Sequence, residues 1–124
     1  MKFGDSIYWA KVIKDEDGRI TGYEKPEKIT LAPNYFSLQP AKGYSNIMVY
    51  GTDINKTYIA YAPFSKWGNK FSVDDKFYVD YTEPRDEEEF GDNANARADD
   101  VSFQNLFIKI VIKKLVATNE QYRY

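Results

Sequence analysis

Hydrophobic and polar residues alternate along much of this chain, and the alternation is clearest between 106 and 115. The even-numbered positions from 106 to 112 hold Leu or Ile, and two of the odd-numbered positions hold Lys. This period of two predicts a β-strand with one buried face. A helix is the alternative for the segment, but five β-branched residues between 106 and 116 disfavour it.

A second alternating segment runs from Ser6 to Lys14 and is followed by a turn signal. It places apolar residues on both faces, with Ile7, Trp9 and Ile13 on one and Tyr8, Ala10 and Val12 on the other. Asp17-Gly18 favours the positive φ angles of a tight turn, and the chain from Arg19 to Tyr23 then returns. These residues predict an antiparallel hairpin.

The middle of the chain is divided by turn residues. Prolines 26, 33 and 40 cannot donate to a sheet ladder, so the region 24–40 is predicted to form edge strands and bends, extended at 29–31 and 35–38. Residues 63–70 are predicted to form a loop, and no helix is predicted. Further strands are predicted at 46–50, 57–62 and 76–81.

Six to eight short strands predict an all-β protein, either a small antiparallel β-barrel or a sandwich. The chain has 124 residues, of which 43% are hydrophobic and 17% aromatic, enough to fill the core of one such domain. No linker and no internal repeat divides the sequence. Residues 1–124 are therefore predicted to form a single domain with a long acidic loop at 83–100.

The chain contains neither Cys nor His, which restricts its chemistry. Disulfides, thiolate nucleophiles, imidazole metal ligands and Ser-His-acid triads are all excluded within it. The seven glycines form no phosphate-binding motif. We therefore expect a binding or structural protein that is not an enzyme, has no catalytic residues and needs no cofactor or metal.

The net charge of −2 and the pI of about 5.2 give no general attraction to nucleic acid or anionic membranes. No apolar run approaches the roughly 20 residues that span a bilayer. Residues Met1 to Asp5 lack the features of a signal peptide. An intracellular, unprocessed protein with no membrane partner is expected.

Residues 83–100 differ from the rest in composition, because eight acidic residues against two arginines give them a net charge of −6. They form either a solvated loop, an interaction loop that orders against a basic partner, or a metal site. For calcium, Glu87, Glu89 and Gly91 match part of an EF-hand, but the closing Glu is missing. The residues predicted to contact a partner are Glu83, Asp86, Glu87, Glu88, Glu89, Phe90, Asp92, Asp99 and Asp100.

Residues 27–115 resemble a known family. An extended run leads to Gln39-Pro40-Ala41-Lys42-Gly43, then Val49-Tyr50-Gly51 and a short return strand. The segments 73–80 and 107–115 resemble the later strands of the same family. The chain is similar to the head-closure or minor capsid proteins of the neck of long-tailed phages of Gram-positive bacteria. The turn residues that carry the resemblance are Gln39, Pro40, Gly43, Tyr50 and Gly51.

The resemblance implies a virion protein, made in the host cytoplasm, that works as a head-tail connector. It would be a small β-barrel in a homo-oligomeric ring between the portal or adaptor and the tail proteins. That ring would seal the DNA channel, lie near packaged DNA and dock the tail. The family carries no catalytic residues.

Two other functions are compatible with the sequence. The first is binding of single-stranded nucleic acid, in which aromatic rings stack on bases beside lysines. The residues for this are Tyr58, Tyr61, Phe77 and Tyr78 with Lys56, Lys70 and Lys76. The second is a phage-encoded inhibitor whose acidic residues mimic nucleic acid.

Overall fold

A computed structural model describes residues 6–40, 57–80, 82–84 and 89–115, and it confirms the all-β prediction. These residues form nine strands and one short helix, α1. The strands are β1 Ser6–Ala10, β2 Val12–Lys14, β3 Ile20–Tyr23, β4 Glu27–Thr30, β5 Ser37–Pro40, β6 Thr57–Pro63, β7 Lys76–Tyr78, β8 Ala96–Gln104 and β9 Phe107–Lys114, and α1 is Phe64–Trp67.

Seven strands form one antiparallel sheet in the order β4-β1-β7-β8-β9-β6-β5, and β2 and β3 form a separate hairpin. The turn of this hairpin is the one predicted at Asp17-Gly18. Gly18 has a φ of 82°, and one carboxylate oxygen of Asp15 accepts the backbone N–H groups of Asp17 and Arg19. The edge strands β4 and β5 fall in the proline-interrupted region, as predicted.

The sheet is strongly curled, because its two edge strands are neighbours in the chain. A flat sheet of seven strands would separate its edges by about 29 Å, at about 4.8 Å per strand. Only residues 31–36 connect β4 to β5, and they turn back at a bridge between Ala32 and Phe36. The edges therefore approach each other at that bridge. Among the described residues no ladder joins β4 to β5, so the sheet is curled but open.

The core fills the inside of this curl. Ile108, Ile110 and Ile112 are buried, which confirms the predicted apolar face of the last strand. Leu106 was assigned to the same face but is 76% exposed, because it lies in the turn before β9 begins. One end of the core is an aromatic cluster whose neighbouring ring centroids are 4.8 to 6.4 Å apart: Trp9, Phe36, Trp67, Phe71 and Phe77.

The prediction of a loop without helix over 63–70 was wrong for Phe64–Trp67, which form α1. Pro63 precedes the helix in an extended conformation, and Gly68, with a φ of 57°, ends it. The backbone N–H of Phe64 donates to the carbonyl of Leu106 at 2.8 Å, which fixes α1 to the β8–β9 turn. Because of this contact, Trp67 reaches the aromatic cluster.

The predicted acidic loop 83–100 extends too far, because residues 96–100 belong to β8. Ala96 and Ala98 are buried inside the curl, whereas Asp99 and Asp100 are exposed. Small alanines and acids have weak strand propensity, so pairing with β9 decides the conformation. The predicted strand 76–81 is also shorter, since β7 ends at Tyr78. The predicted strand 46–50 lies outside the described residues.

Candidate protein-binding site

The β8–β9 hairpin extends beyond β7. β7 pairs with β8 only at Ala96 and Arg97, and backbone bonds from Asp74 and Asp75 continue the contact to Ala98. β8 nevertheless stays paired with β9 as far as Gln104. The end of this hairpin therefore has β9 on one side and no strand of the described chain on the other.

An apolar groove of about 450 Å³ lies between the hairpin end and α1. Its apolar lining is Pro63, Phe64, Leu106 and Phe107, and its polar lining is Asn34, Ser65, Lys66 and Asn105. Phe64 and Phe107 are 43% and 42% exposed, and Leu106 is far more so. Single exposed apolar residues are common, but contiguous ones mark interaction sites.

Phe103 extends this apolar area on the other side of Phe64. The two rings pack edge to face at 5.7 Å, and Phe103 is 56% exposed. It points to the same side of the sheet as the core residue Ile108, its partner in β9, but the core does not reach that far. We define the hairpin-end surface as Phe64, Phe103, Leu106 and Phe107. No such surface was predicted from the sequence, although the apolar residues at the turn are a local signal for it.

The described acidic residues predicted to bind a partner lie in different elements of the fold. Glu89, Phe90 and Asp92 lie in a turn before β8, while Asp99 and Asp100 lie on β8 itself. All five are exposed, as is Glu83. Asp86, Glu87 and Glu88 lie outside the described residues. Partner binding by these acids, and their action as a nucleic-acid mimic, stay predictions.

The described part of the acidic segment is fixed to the sheet at two points. Gly91 has a φ of 86°, and a Cβ there would lie 3.2 Å from the Tyr23 ring, so β3 packs directly on its backbone. The Asn95 amide oxygen accepts the backbone N–H of Val79 at 2.8 Å, and the amide nitrogen donates to the Val79 carbonyl at 3.0 Å. Asn95 therefore bonds to Val79 as a neighbouring strand would.

Asp75 is the one carboxylate fully buried within the described residues. Its oxygens accept the indole N–H of Trp9 at 2.8 Å and the backbone N–H groups of Val12 and Ser72, both at 2.9 Å. Burial raises the pKa of this carboxyl above 3.8, and the three hydrogen bonds act in the opposite direction. Because no part of Asp75 reaches the surface, its role is to connect β1, β2 and the turn before β7.

Three polar side chains, Tyr58, Asp80 and Lys114, connect separate strands at another point of the sheet. Asp80 accepts the Tyr58 hydroxyl and the Lys114 ammonium on one oxygen, both at 2.8 Å. Burial, together with the bond to Asp80, raises the pKa of the Tyr58 hydroxyl well above its ordinary value. The phenol therefore stays protonated and donates to the carboxylate, which holds the ends of β6 and β9 to the residues after β7.

The described residues contain no group of three or more acidic side chains placed to hold a metal ion. Of the partial EF-hand pattern, Glu89 and Gly91 lie in the turn before β8, and Glu87 is outside the described residues. No helix in the described part of the chain is long and apolar enough to cross a membrane.

The aromatic residues proposed to stack on bases are mostly inaccessible. Tyr58, Phe77 and Tyr78 are buried, so that part of the nucleic-acid hypothesis is wrong. Lys76 lies instead over the Tyr23 ring at 5.0 Å. Lys70 lies over the Trp67 ring at 5.7 Å.

Of the residues that carry the phage resemblance, Gln39 and Pro40 belong to edge strand β5. Gly43, Tyr50 and Gly51 lie outside the described residues. Comparison with protein-family models, with curated proteins and with solved structures gives no match to this chain.

Proposed function

We propose that this protein is a structural subunit that attaches to other proteins through its hairpin-end surface. The observation that carries the proposal is the exposure of three large apolar side chains around one groove, namely Phe64, Leu106 and Phe107, of which Leu106 is the most exposed. Leaving them in water has no benefit for folding, whereas burying one Leu or Phe side chain against a partner contributes about 1.5–3 kcal/mol.

The groove defines the chemistry of that partner. An apolar side chain fits between Phe64 and Leu106, and Lys66, which also lines the groove, suits a carboxylate beside it. The groove is pre-formed, because the hydrogen bond from Phe64 to Leu106 joins its two walls. We therefore infer a protein segment with an apolar anchor next to an acidic residue.

We further propose that the assembly is the neck of a long-tailed phage, with this chain as a head-closure component. It would form part of a ring that seals the DNA channel and docks the tail. Two observations support this: the resemblance of residues 27–115, and a hairpin that projects with apolar side chains at its end. A ring subunit needs such a projecting contact and no catalytic group.

Replacing Leu106 with Asp is expected to weaken attachment at least tenfold, because the new charge would be buried in an apolar contact. The measurement is assembly with the portal, adaptor and tail proteins of the same phage, followed by chromatography and electron microscopy. Ile20→Asp is the matched control, since Ile20 is 46% exposed on the other hairpin. Unchanged assembly of Leu106→Asp, or no assembly of the wild type, would contradict the proposal.

A specific arrangement of charges favours a second candidate function, binding of single-stranded nucleic acid. On the outer face of the sheet, Lys76 lies opposite Arg97, and Arg97 lies opposite Lys113. A phosphate backbone lying across β7, β8 and β9 would meet these three basic residues in a row.

Replacing Arg97 with Glu tests this second function without harm to the fold, since the new carboxylate would face two lysines. Fluorescence anisotropy with a labelled single strand at low salt should show salt-dependent binding by the wild type. Arg97→Glu should bind about tenfold more weakly, whereas Arg19→Glu, in the distant β2–β3 turn, should bind like the wild type. Absence of binding at about 100 µM protein would eliminate this candidate.

A further inference from the structure

The free edge of β8 is the feature that supports an inference beyond docking. From Asp100 to Gln104 this strand pairs with β9 only, and Asp99 lies at the register shift between Ala98 and Asp100. Its contacts on the other side stop at Ala98, which bonds to Asp74 and Asp75. No described residue pairs with the remaining six positions on that side. They therefore present a row of backbone groups that have no partner in the described part of the chain and can accept another strand.

We propose that this edge pairs with the same edge of a second copy of the chain, antiparallel, about a two-fold axis at Ser102. Such a contact is closed and gives a dimer, so it differs from the head-to-tail contact that a ring requires. The proposal does not rest on the docking function above. It predicts a sheet that runs unbroken from one copy into the other.

The pairing in β8 and β9 restricts how two such edges can meet. Val101 and Phe103 lie opposite the core residues Ile110 and Ile108, so they point to the inner side. Their neighbours point to the outer side. Residues directly opposite each other in an antiparallel ladder share a side of the sheet. A two-fold pairing must therefore centre on a residue and not between two residues.

Centring on Ser102 gives favourable pairs at every position. Val101 lies opposite Phe103 of the other copy, a β-branched residue against an aromatic one. Asp100 lies opposite Gln104, so a carboxylate meets an amide that can donate to it. Ser102 lies opposite itself, where two hydroxyls can hydrogen-bond. No pair brings like charges together.

Other centres are less favourable. Centring on Val101 puts Asp99, the extra residue at a register shift in β8, opposite Phe103. Centring on Asp100 puts this carboxylate opposite its own copy. Centring on Phe103 runs Asp100 against Leu106, beyond the end of the strand. Asp99 and Asp100 therefore disfavour the other registers and leave the one centred on Ser102. Charged residues on edge strands commonly prevent unwanted pairing in this way.

The Ser102 register also covers exposed apolar surface. Phe103, more than half exposed in the single chain, would lie beside Val101 of the other copy. The Phe103 ring is accessible in the single chain, and the dimer would shield it beside its axis.

Replacing Ser102 with Asp should weaken the dimer and leave the fold of the single chain intact. Within one chain the new carboxylate faces Lys109 of β9, which favours the fold. Across the axis two carboxylates face each other, so the dimer dissociation constant should rise about tenfold or more. Light scattering should give twice the chain mass of 14.4 kDa for the wild type and the single mass for the variant at the same concentration. Thr30→Asp, on edge strand β4, should remain dimeric.

Replacing Ser102 with Cys locates the axis directly, because the natural chain has no cysteine. Residues opposite each other in an antiparallel ladder lie within disulfide range. Oxidised Ser102→Cys should become a covalent dimer much faster than Thr30→Cys. A monomeric wild type, a dimer unaffected by Ser102→Asp, or equal rates for the two cysteine variants would overturn the proposal, whatever the outcome for Leu106→Asp.

Discussion

Replacing Asp75 with Asn is expected to lower the free energy of unfolding by about 3 kcal/mol, through unsatisfied buried donors. Three N–H groups, from Trp9, Val12 and Ser72, donate to the two carboxylate oxygens. An Asn side chain has one acceptor oxygen and turns an NH₂ group toward the donors on its other side. In either orientation of the amide, at least one buried N–H therefore loses its acceptor.

Urea unfolding of Asp75→Asn and Asp74→Asn would measure this effect against a matched control. Asp74 is the neighbouring acid, partly exposed, and its contact with Lys14 is a surface ion pair at 3.4 Å. Its φ of 80° suits Asn. The control should lose less than about 1 kcal/mol. A loss for Asp75→Asn no larger than that of Asp74→Asn would contradict the role assigned to Asp75.

The same carboxyl predicts a pH dependence. Burial raises its pKa in the folded state above 3.8, so the unfolded chain loses this proton at a lower pH than the folded one. Between the two pKa values the folded state binds more protons, and its stability therefore falls as pH rises. The difference in unfolding free energy between wild type and Asp75→Asn should decrease as pH rises from 3.8 through the folded pKa, and then remain constant.

Replacing Trp67 with Ala is expected to cost about 4 kcal/mol of stability. The indole packs against the rings of Trp9, Tyr35, Phe36 and Phe71, and its N–H donates to the Tyr35 carbonyl at 2.7 Å. Since α1 has only four residues, it cannot persist by helix propensity alone. Loss of the indole should therefore both leave a cavity and release α1.

Trp67→Phe is the graded comparison, because it keeps an aromatic ring and removes the hydrogen bond to Tyr35. It should cost about 1–2 kcal/mol. Thermal and urea unfolding give the free energies, and near-ultraviolet circular dichroism reports the packing of the cluster. A cost below about 1 kcal/mol for Trp67→Ala would show that α1 does not depend on this contact.

The strands that could be predicted are those that local chemistry determines. Alternation in the last strand and the Asp17-Gly18 turn are properties of neighbouring residues, and both predictions are confirmed. α1 has no such local signal, because one helical turn is too short to show a period of 3.6. It depends on the bond to Leu106 and on the burial of Trp67, which are contacts between distant residues.

The candidate site could be predicted only in part, for the same reason. The acids were prominent in the sequence because charge is visible in composition, yet β8 takes Asp99 and Asp100 out of the predicted loop. The exposure of Phe103 and Phe107 could not be predicted, since alternation reveals a face but not where the core ends. Their exposure follows from β7 being shorter than β8, which no local pattern indicates.

The Asn95 side chain has a consequence for how this chain can vary. Because its amide completes the bonding of Val79, the sheet keeps its register whatever the length of the connection that follows. A change of length between Glu83 and Gly91 is therefore expected to leave this bonding intact, provided that Gly91 still fits against Tyr23. A recognition sequence could then be grafted between two fixed points of the sheet.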